Sequence, residues 1–137
     1  MSADLAVQRA IRDRLVGAPV VLALVPAHSI LDRHAMPVPD PSIILGETVE
    51  GLAGAAGLDR VDLFHTLHVW RQEPSFEGVK QIVAAIRAAI RATRPQLEGG
   101  YHLAGWRLSS ARYLRDPDGV SSHAVVVIEA TVCGGAL

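Results

Sequence analysis

The sequence has little of what disulfide formation, nucleic-acid attraction or membrane insertion requires. It contains one cysteine, Cys133, so no disulfide can form within the chain. The formal net charge of -1 excludes a strong overall attraction to nucleic acid or anionic membranes. The most apolar segment, residues 18–27, is short, contains two prolines and has no convincing cleavage site after it. We therefore expect neither a membrane-spanning segment nor a leader peptide.

Signatures of catalysis and metal binding are also missing. His65 and His68 lie three residues apart on a predicted strand, so their side chains should point to opposite faces and cannot hold one ion. No His-Glu-x-x-His, paired cysteine or carboxylate cluster accompanies the six histidines. No Gly-x-Ser-x-Gly motif offers a nucleophilic serine. The glycines of segment 51–57 are not followed by the Gly-Lys-Ser/Thr of a phosphate-binding loop. We predict a protein that is not an enzyme, with no catalytic residue, metal site or cofactor.

The residues that are present predict two substantial helices. Half of the chain is hydrophobic and a fifth is charged, as in ordinary folded domains. Apolar residues at helical spacing predict a helix from Ala3 to Leu15, capped by Ser2, and Pro19 can open a short second helix. Ser75 can cap a longer amphipathic helix, which Pro95 ends. Its apolar stripe is Val79, Ile82, Val83, Ile86 and Ile90.

Basic residues form a stripe on this longer helix. Arg87, Arg91 and Arg94 lie on one face near its C-terminal end. One hypothesis is a solvated face that complements the helix dipole. The other is a basic surface that meets an acidic partner or DNA, although no aromatic residues interleave for base stacking.

β-Branched and aromatic residues predict the strands. They are expected at 30–31, 42–47, 61–71, 103–114 and 122–132, with a possible break after Leu108. Asp-Pro-Asp-Gly at 116–119 predicts a hairpin turn between the last two. This order of elements predicts one α+β domain over residues 1–137, with helices packed on one face of a mostly antiparallel sheet.

Strand 61–71 carries large groups on both of its faces. One face has Phe64, His68 and Trp70, and the other has Leu63 and Leu67. Helices on one side of a sheet leave the other side wet, so the second face needs cover from this chain or from a partner. We predict that Phe64, His68 and Trp70 belong to an interface with another subunit.

The segment from Glu47 to Arg60 is predicted to be a docking loop. Its glycines at 51, 54 and 57 make it costly to order alone, yet Leu52 and Leu58 make it more apolar than a solvent loop. Burial against a partner would explain both properties, and Leu52 and Leu58 are therefore further interface candidates. The alternative is a simple hairpin connection whose small residues pack on their own sheet.

The order and spacing of these segments resemble the tail-completion family, which includes the tail terminators of long-tailed phages and of phage-like gene transfer agents. The similarity covers nearly the whole chain and consists of apolar and turn patterns. The segments that carry it are Val21–Val25, Ser29–Asp32, Pro41–Gly46, Leu67–Arg71, the helix at 76–94, Arg115–Gly119 and Ser122–Val125.

The resemblance implies a structural role in the tail of a virion or phage-like particle. It implies a ring, usually of six subunits, that forms in the bacterial cytoplasm and ends the tail tube on its head-proximal side. Such a ring would contact the tail tube protein and the head-side connector or stopper, and DNA would pass through its lumen without sequence-specific binding. Two alternatives stay open: another head–tail joining ring, which particle position would distinguish, or a small ligand-binding domain, which requires a deep pocket.

Overall fold

The computed structural model of the protein describes residues 2–52 and 59–134, apart from the side chain of Leu52. The helices are α1 (Ala3–Val16), α2 (Pro19–Leu22) and α3 (Glu77–Ala92), with a 3-10 turn at Ala27–Ser29. The strands are β1 (Ile30–Leu31), β2 (Ser42–Leu52), β3 (Arg60–Gln72), β4 (Tyr101–Arg115) and β5 (Ser121–Gly134). Within the described residues, no helix is long and apolar enough to cross a membrane.

The strands form a five-stranded sheet in the order β1-β2-β3-β5-β4. The short β1 runs parallel to β2, and every other neighbouring pair is antiparallel. All three helices contribute buried side chains to a core on one face of this sheet. The predicted class, helices on one face of a mostly antiparallel sheet in a single domain, is confirmed.

The core lies between α3 and the two central strands. Leu63 and Leu67 of β3 and Ile128 of β5 are fully buried, as are Ile82 and Ile86 of α3. Each such side chain contributes roughly 1.5–3 kcal/mol through burial. The amphipathic stripe of α3 and the alternation of β3 and β5 therefore determine which face of the sheet the helices cover.

Local signals at α1 operate as the sequence predicts. Ser2 Oγ accepts a hydrogen bond from the backbone N–H of Leu5 at 3.1 Å, which caps the helix N-terminus. The helix ends at Gly17, whose N–H donates to the carbonyl of Asp13 at 2.9 Å. Between Leu31 and Ser42 the proline-rich segment contains no helix or strand, as expected.

The N-terminus of α3 is capped mainly by Glu73, which sequence reasoning missed. Its carboxylate accepts from the N–H groups of Gly78 at 2.7 Å and Val79 at 3.0 Å. The predicted cap, Ser75, contributes one bond from Glu77 at 3.2 Å. A carboxylate at this position also complements the helix dipole.

We expect Glu73→Ala to lower the free energy of unfolding by about 1–2 kcal/mol, because two buried helix N–H groups lose their acceptor. Urea denaturation measures the change. Glu77→Ala is a matched control, since this exposed carboxylate lies in the first turn of the same helix. Equal effects of the two substitutions would contradict the assigned role of Glu73.

The prediction that β2 ends at Glu47 is wrong. The strand continues to Leu52, and Thr48–Leu52 pairs in regular antiparallel register with Val61–His65. A bulge between Leu45 and Thr48 interrupts the alternation within the strand. The loop was predicted from the glycines at 51, 54 and 57, and Gly51 lies within the strand. The predicted docking loop is therefore strand over residues 48–52, and its remainder at 53–58 lies outside the described residues.

The last two strands form the predicted hairpin. Leu114 pairs with His123 and Ser110 pairs with Val127, on either side of the turn at 116–119. Gly119 has φ of 77°, a conformation that favours glycine. The suspected break in β4 is a register shift between Leu108 and Ser110, so the strand bends without ending.

Candidate functional site: the open face of the sheet

The face of the sheet opposite the helices is the candidate functional site, and we call it the open face. Alternate residues of β3 are buried on the helix side and partly exposed on this side. Val49 of β2 is 61% exposed. No helix of the described residues covers the open face. Its apolar residues are Ile44, Val49, Phe64, Trp70, Leu114, Val125 and Val127.

The structure places three of the five predicted interface residues on this face. Phe64, His68 and Trp70 alternate along β3 and are all partly exposed. Leu52 lies at the end of β2, where it pairs with Val61, and nothing is described of its side chain. Leu58 lies outside the described residues. The open face thus brings together Phe64, His68 and Trp70.

A chain of polar groups runs across the open face beside Trp70. His68 Nε2 lies 2.9 Å from Glu47 Oε1, and His68 Nδ1 lies 2.8 Å from His123 Nε2. An ionised Glu47 can only accept, so His68 Nε2 donates to it, and a hydrogen lies between His68 Nδ1 and His123 Nε2. The imidazole of His123 stacks on the Trp70 ring, with centroids 3.7 Å apart and planes within 9°.

The surroundings of His123 and Glu47 determine the charges of these two side chains at neutral pH. Burial, reinforced by the neighbouring His68, lowers the pKa of His123 from 6.5 to about 4. The hydrogen bond from His68 lowers the pKa of Glu47 below its ordinary 4.5. His123 is therefore neutral and Glu47 ionised at pH 7. The arrangement orients Trp70 and His68 rigidly; it supplies no activated nucleophile.

His65 lies on the helix side, which confirms that His65 and His68 point to opposite faces. Its Nδ1 lies 3.2 Å from Thr48 Oγ1. Its Nε2 lies 3.0 Å from Asp4 Oδ1 of α1 but without hydrogen-bond alignment. Burial lowers the pKa of His65, and the charge of Asp4 opposes that shift. His65 is therefore a core residue beneath α1.

The other candidates from the sequence are separate from the open face. Trp106 packs against the core and donates from Nε1 to the carbonyl of Ile90 at 2.9 Å. Arg87 and Arg91 are exposed on α3, while Arg94 donates to the carbonyl of Leu103 at 3.4 Å. These positions fit a solvated helix face.

Concave surfaces on the described residues do not resemble a ligand pocket. One depression of about 380 Å³ lies between the end of α3 and the start of β4, lined by residues such as Pro95, Leu97 and His102. It opens to solvent, unlike the enclosed and mostly apolar pockets that bind small molecules. Within residues 2–52 and 59–134, no three histidine, cysteine or acidic side chains are placed to hold a metal ion.

The sequence did not predict the hydrogen-bonded series Glu47–His68–His123, although it contains all three residues. His123 shares an alternation with Val125 and Val127, but its contact with His68 requires β5 to lie beside β3. Glu47 reaches His68 only because the bulge after Leu45 turns its side chain to the open face. Strand order and a bulge are non-local features, so spacing alone could not reveal them.

Comparison with known proteins identifies the family. The sequence matches the family model described as "Tail completion protein gp17" over residues 9–133. The chain belongs to the tail completion protein gp17 family. This tail completion protein is therefore a structural component of a phage-type tail, associated with the virion, and not an enzyme.

Solved structures share the fold of this tail completion protein. One is a chain of the "Virion of native gene transfer agent (GTA) particle", with a TM-score of 0.84 and 22% identity, covering 98% of this chain and 100% of that one. Another is the "bacteriophage SPP1 gp17 protein", with a TM-score of 0.63 and 18% identity, covering 98% and 94% respectively. A search of curated proteins finds no match.

Proposed function

We propose that this protein is a tail terminator that caps the head-proximal end of a tail tube as a closed ring of six subunits. The ring assembles in the bacterial cytoplasm, stops polymerisation of the tube and offers the docking surface for the head-side connector or stopper. DNA passes through its lumen without sequence-specific contact. Family membership over residues 9–133 supports the tail location, and the subunit's surface supports assembly.

The observation that carries the proposal is the open face. A sheet face with Phe64, Trp70, Val125 and Val127 partly exposed is more apolar than a solvated sheet requires. Contiguous apolar surface of this kind marks a protein interface. The hydrogen-bonded His68 and the stacked Trp70 are already held in place, so docking costs little side-chain entropy.

The interface is proposed to centre on Phe64, His68 and Trp70. Tryptophan is among the residues on which binding energy concentrates, and the contacts around it exclude water. Leu52 at the end of β2 and Leu58, which lies outside the described residues, are proposed to extend this contact toward a neighbouring subunit or the tail tube.

Charge fits a role around DNA without base recognition. The net charge of -1 gives no electrostatic drive to bind a duplex, so DNA can slide past the ring. A ligand-binding role is not supported, because the described depressions are open to solvent and are not the enclosed, mostly apolar pockets that hold small molecules. A head-side ring is less consistent with a family defined by tail completion.

Deleting the gene and imaging the particles tests this function. We expect full heads and tails that are not joined, together with tails of irregular length. In complete particles, a reconstruction should show six copies of this chain at the head-proximal end of the tube. Joined particles from the deletion strain, or a single copy per tail, would refute the proposal.

A further inference from the structure

The two ends of the sheet carry unpaired strand edges. Beyond β4 no described strand follows, so the outer edge of this 15-residue strand pairs with no other described strand, although the carbonyl of Leu103 accepts from Arg94. At the other end β1 pairs only with Ile43 and Ile44, which leaves β2 unpaired from Leu45 to Leu52 among the described residues. Long free edges are templates for pairing with another chain, and natural proteins cover or block them.

The two free edges carry opposite charges. β4 contains Arg107, Arg112 and Arg115 and no acidic residue; Arg107 pairs with Glu129 of β5 at 2.9 Å, and Arg115 donates to the carbonyls of Glu73 and Pro74. β2 contains Glu47 and Glu50 and no basic residue. Arg112 is exposed and makes no hydrogen bond or ion pair with a described residue. The side chain of Glu47 is 65% exposed, although it accepts a bond from His68.

The charges also lie at matching heights along the sheet. Following the register across β3 and β5, Leu45 is level with Ala111 and Thr48 is level with Leu108. Glu47 therefore lies between the rows of Leu108 and Ala111. Arg107 and Arg112 flank those rows. Their strand-pairing partners in β5, Glu129 and Val125, lie on the open face, so both arginines lie there too. The hydrogen bond to His68 places Glu47 on the same face.

The two edges also share one bend. β4 has one register shift between Leu103 and Gly105, level with a regular part of β2. Its second shift, between Leu108 and Ser110, accompanies the bulge of β2 between Leu45 and Thr48. This second shift and the bulge fall between the same two rows of the sheet. Edges that bend at one height can follow each other along their length.

We propose that the outer edge of β4 pairs with the outer edge of β2 in the next copy of this chain. Because β4 runs opposite to β2, a neighbour related by rotation about a ring axis would present an antiparallel partner. Two different, complementary edges give a head-to-tail contact, which closes into a ring. The inference rests on the proposed ring and specifies how its subunits join.

Charge exchange between the edges tests the pairing in assembled particles. Glu47→Arg and Arg112→Glu should each reduce the number of joined particles about tenfold, because like charges then face each other at every interface. Carrying both substitutions in one chain restores opposite charges and should return the yield to within about threefold of normal. Arg87→Glu is the matched control: it makes the same charge change on the exposed face of α3.

The result that overturns the pairing is a double variant that assembles no better than the single variants while its thermal stability is unchanged. Normal assembly of both single variants would overturn it equally. The deletion strain separates this outcome from failure of the proposed function. If deletion leaves heads and tails unjoined but particles with the charge variants have joined heads and tails, the proposed tail-terminator function is supported and only the proposed edge pairing is wrong.

Disulfide formation provides a second readout that does not depend on charge. Val49 and Arg107 are level across the sheet and share the open face. Within one subunit they are three strand spacings apart, roughly 14 Å, which no disulfide can bridge. Val49→Cys with Arg107→Cys, in a Cys133→Ser background, should therefore link only neighbouring copies. Oxidised particles should show a ladder up to the hexamer on a non-reducing gel, and absence of any linked species contradicts the pairing.

Discussion

Replacing Trp70 with alanine is expected to weaken incorporation of the subunit into tails by about 2–4 kcal/mol per interface, or roughly thirty- to a thousandfold. Trp70 presents a rigid aromatic surface on the open face, held by its 3.7 Å stack on His123. Its removal deletes the largest side chain of the proposed contact and frees the His123 ring. The measurement is the amount of variant subunit in purified tails, in competition with an equal amount of unaltered subunit.

Trp106→Ala is the matched control for Trp70→Ala. Trp106 is the other tryptophan of the chain, but it faces α3 and bonds to the carbonyl of Ile90. Its removal should lower the free energy of unfolding while folded subunits still enter tails. The opposite outcome, with Trp70→Ala incorporated normally and Trp106→Ala excluded, would show that the open face is not the docking surface.

The sequence predicted the location of one tryptophan, Trp70, but not that of the other, Trp106. The alternation of Phe64, His68 and Trp70 predicted one shared face, and the structure places them there. For Trp106 the sequence left core and interface open. That choice depends on which face of β4 meets α3, and pairing with Ala130 of the buried β5 face determines it.

Long, strongly patterned elements were predictable because their signals are local. The apolar stripe of α3 and the turn at 116–119 each act within a few residues. The second half of β2 was not predictable in this way. Glu47 and Glu50 break the apolar alternation, and the bulge moves Glu47 onto the same face as His68. A bulge of this kind is stabilised by the neighbouring strand, which the local sequence does not contain.

The capping of α3 illustrates a similar limit. Ser75 occupies the expected position and takes one bond, but Glu73, further from the helix, takes two. Glu73 follows β3 directly, and the chain folds back after it so that its carboxylate reaches the first turn of α3. The edge charges of β2 and β4 were likewise present in the sequence, yet they became complementary only once the strand order placed these strands at the two ends of the sheet.

Acidification is expected to destabilise the subunit between about pH 6.5 and pH 4. In the folded chain the pKa of His123 is about 4, and burial also lowers that of His65, whereas both have ordinary values near 6.5 when unfolded. In this window the unfolded chain binds more protons, so the free energy of unfolding falls as pH falls. His123 alone accounts for a loss on the order of a few kcal/mol over the whole window.

His123→Phe isolates this contribution, because phenylalanine keeps a ring against Trp70 but cannot bind a proton. Urea denaturation from pH 7.5 to pH 5 should show a clearly shallower pH dependence in this variant, although its stability at pH 7.5 is lower through loss of the bond to His68. The range stops above pH 4.5, since the lowered pKa of Glu47 adds its own loss of stability only at more acidic pH. His102→Phe is the control, because His102 is exposed on β4. An unchanged slope in His123→Phe, or an equal change in His102→Phe, would show that His123 is not the buried neutral histidine that links subunit stability to pH.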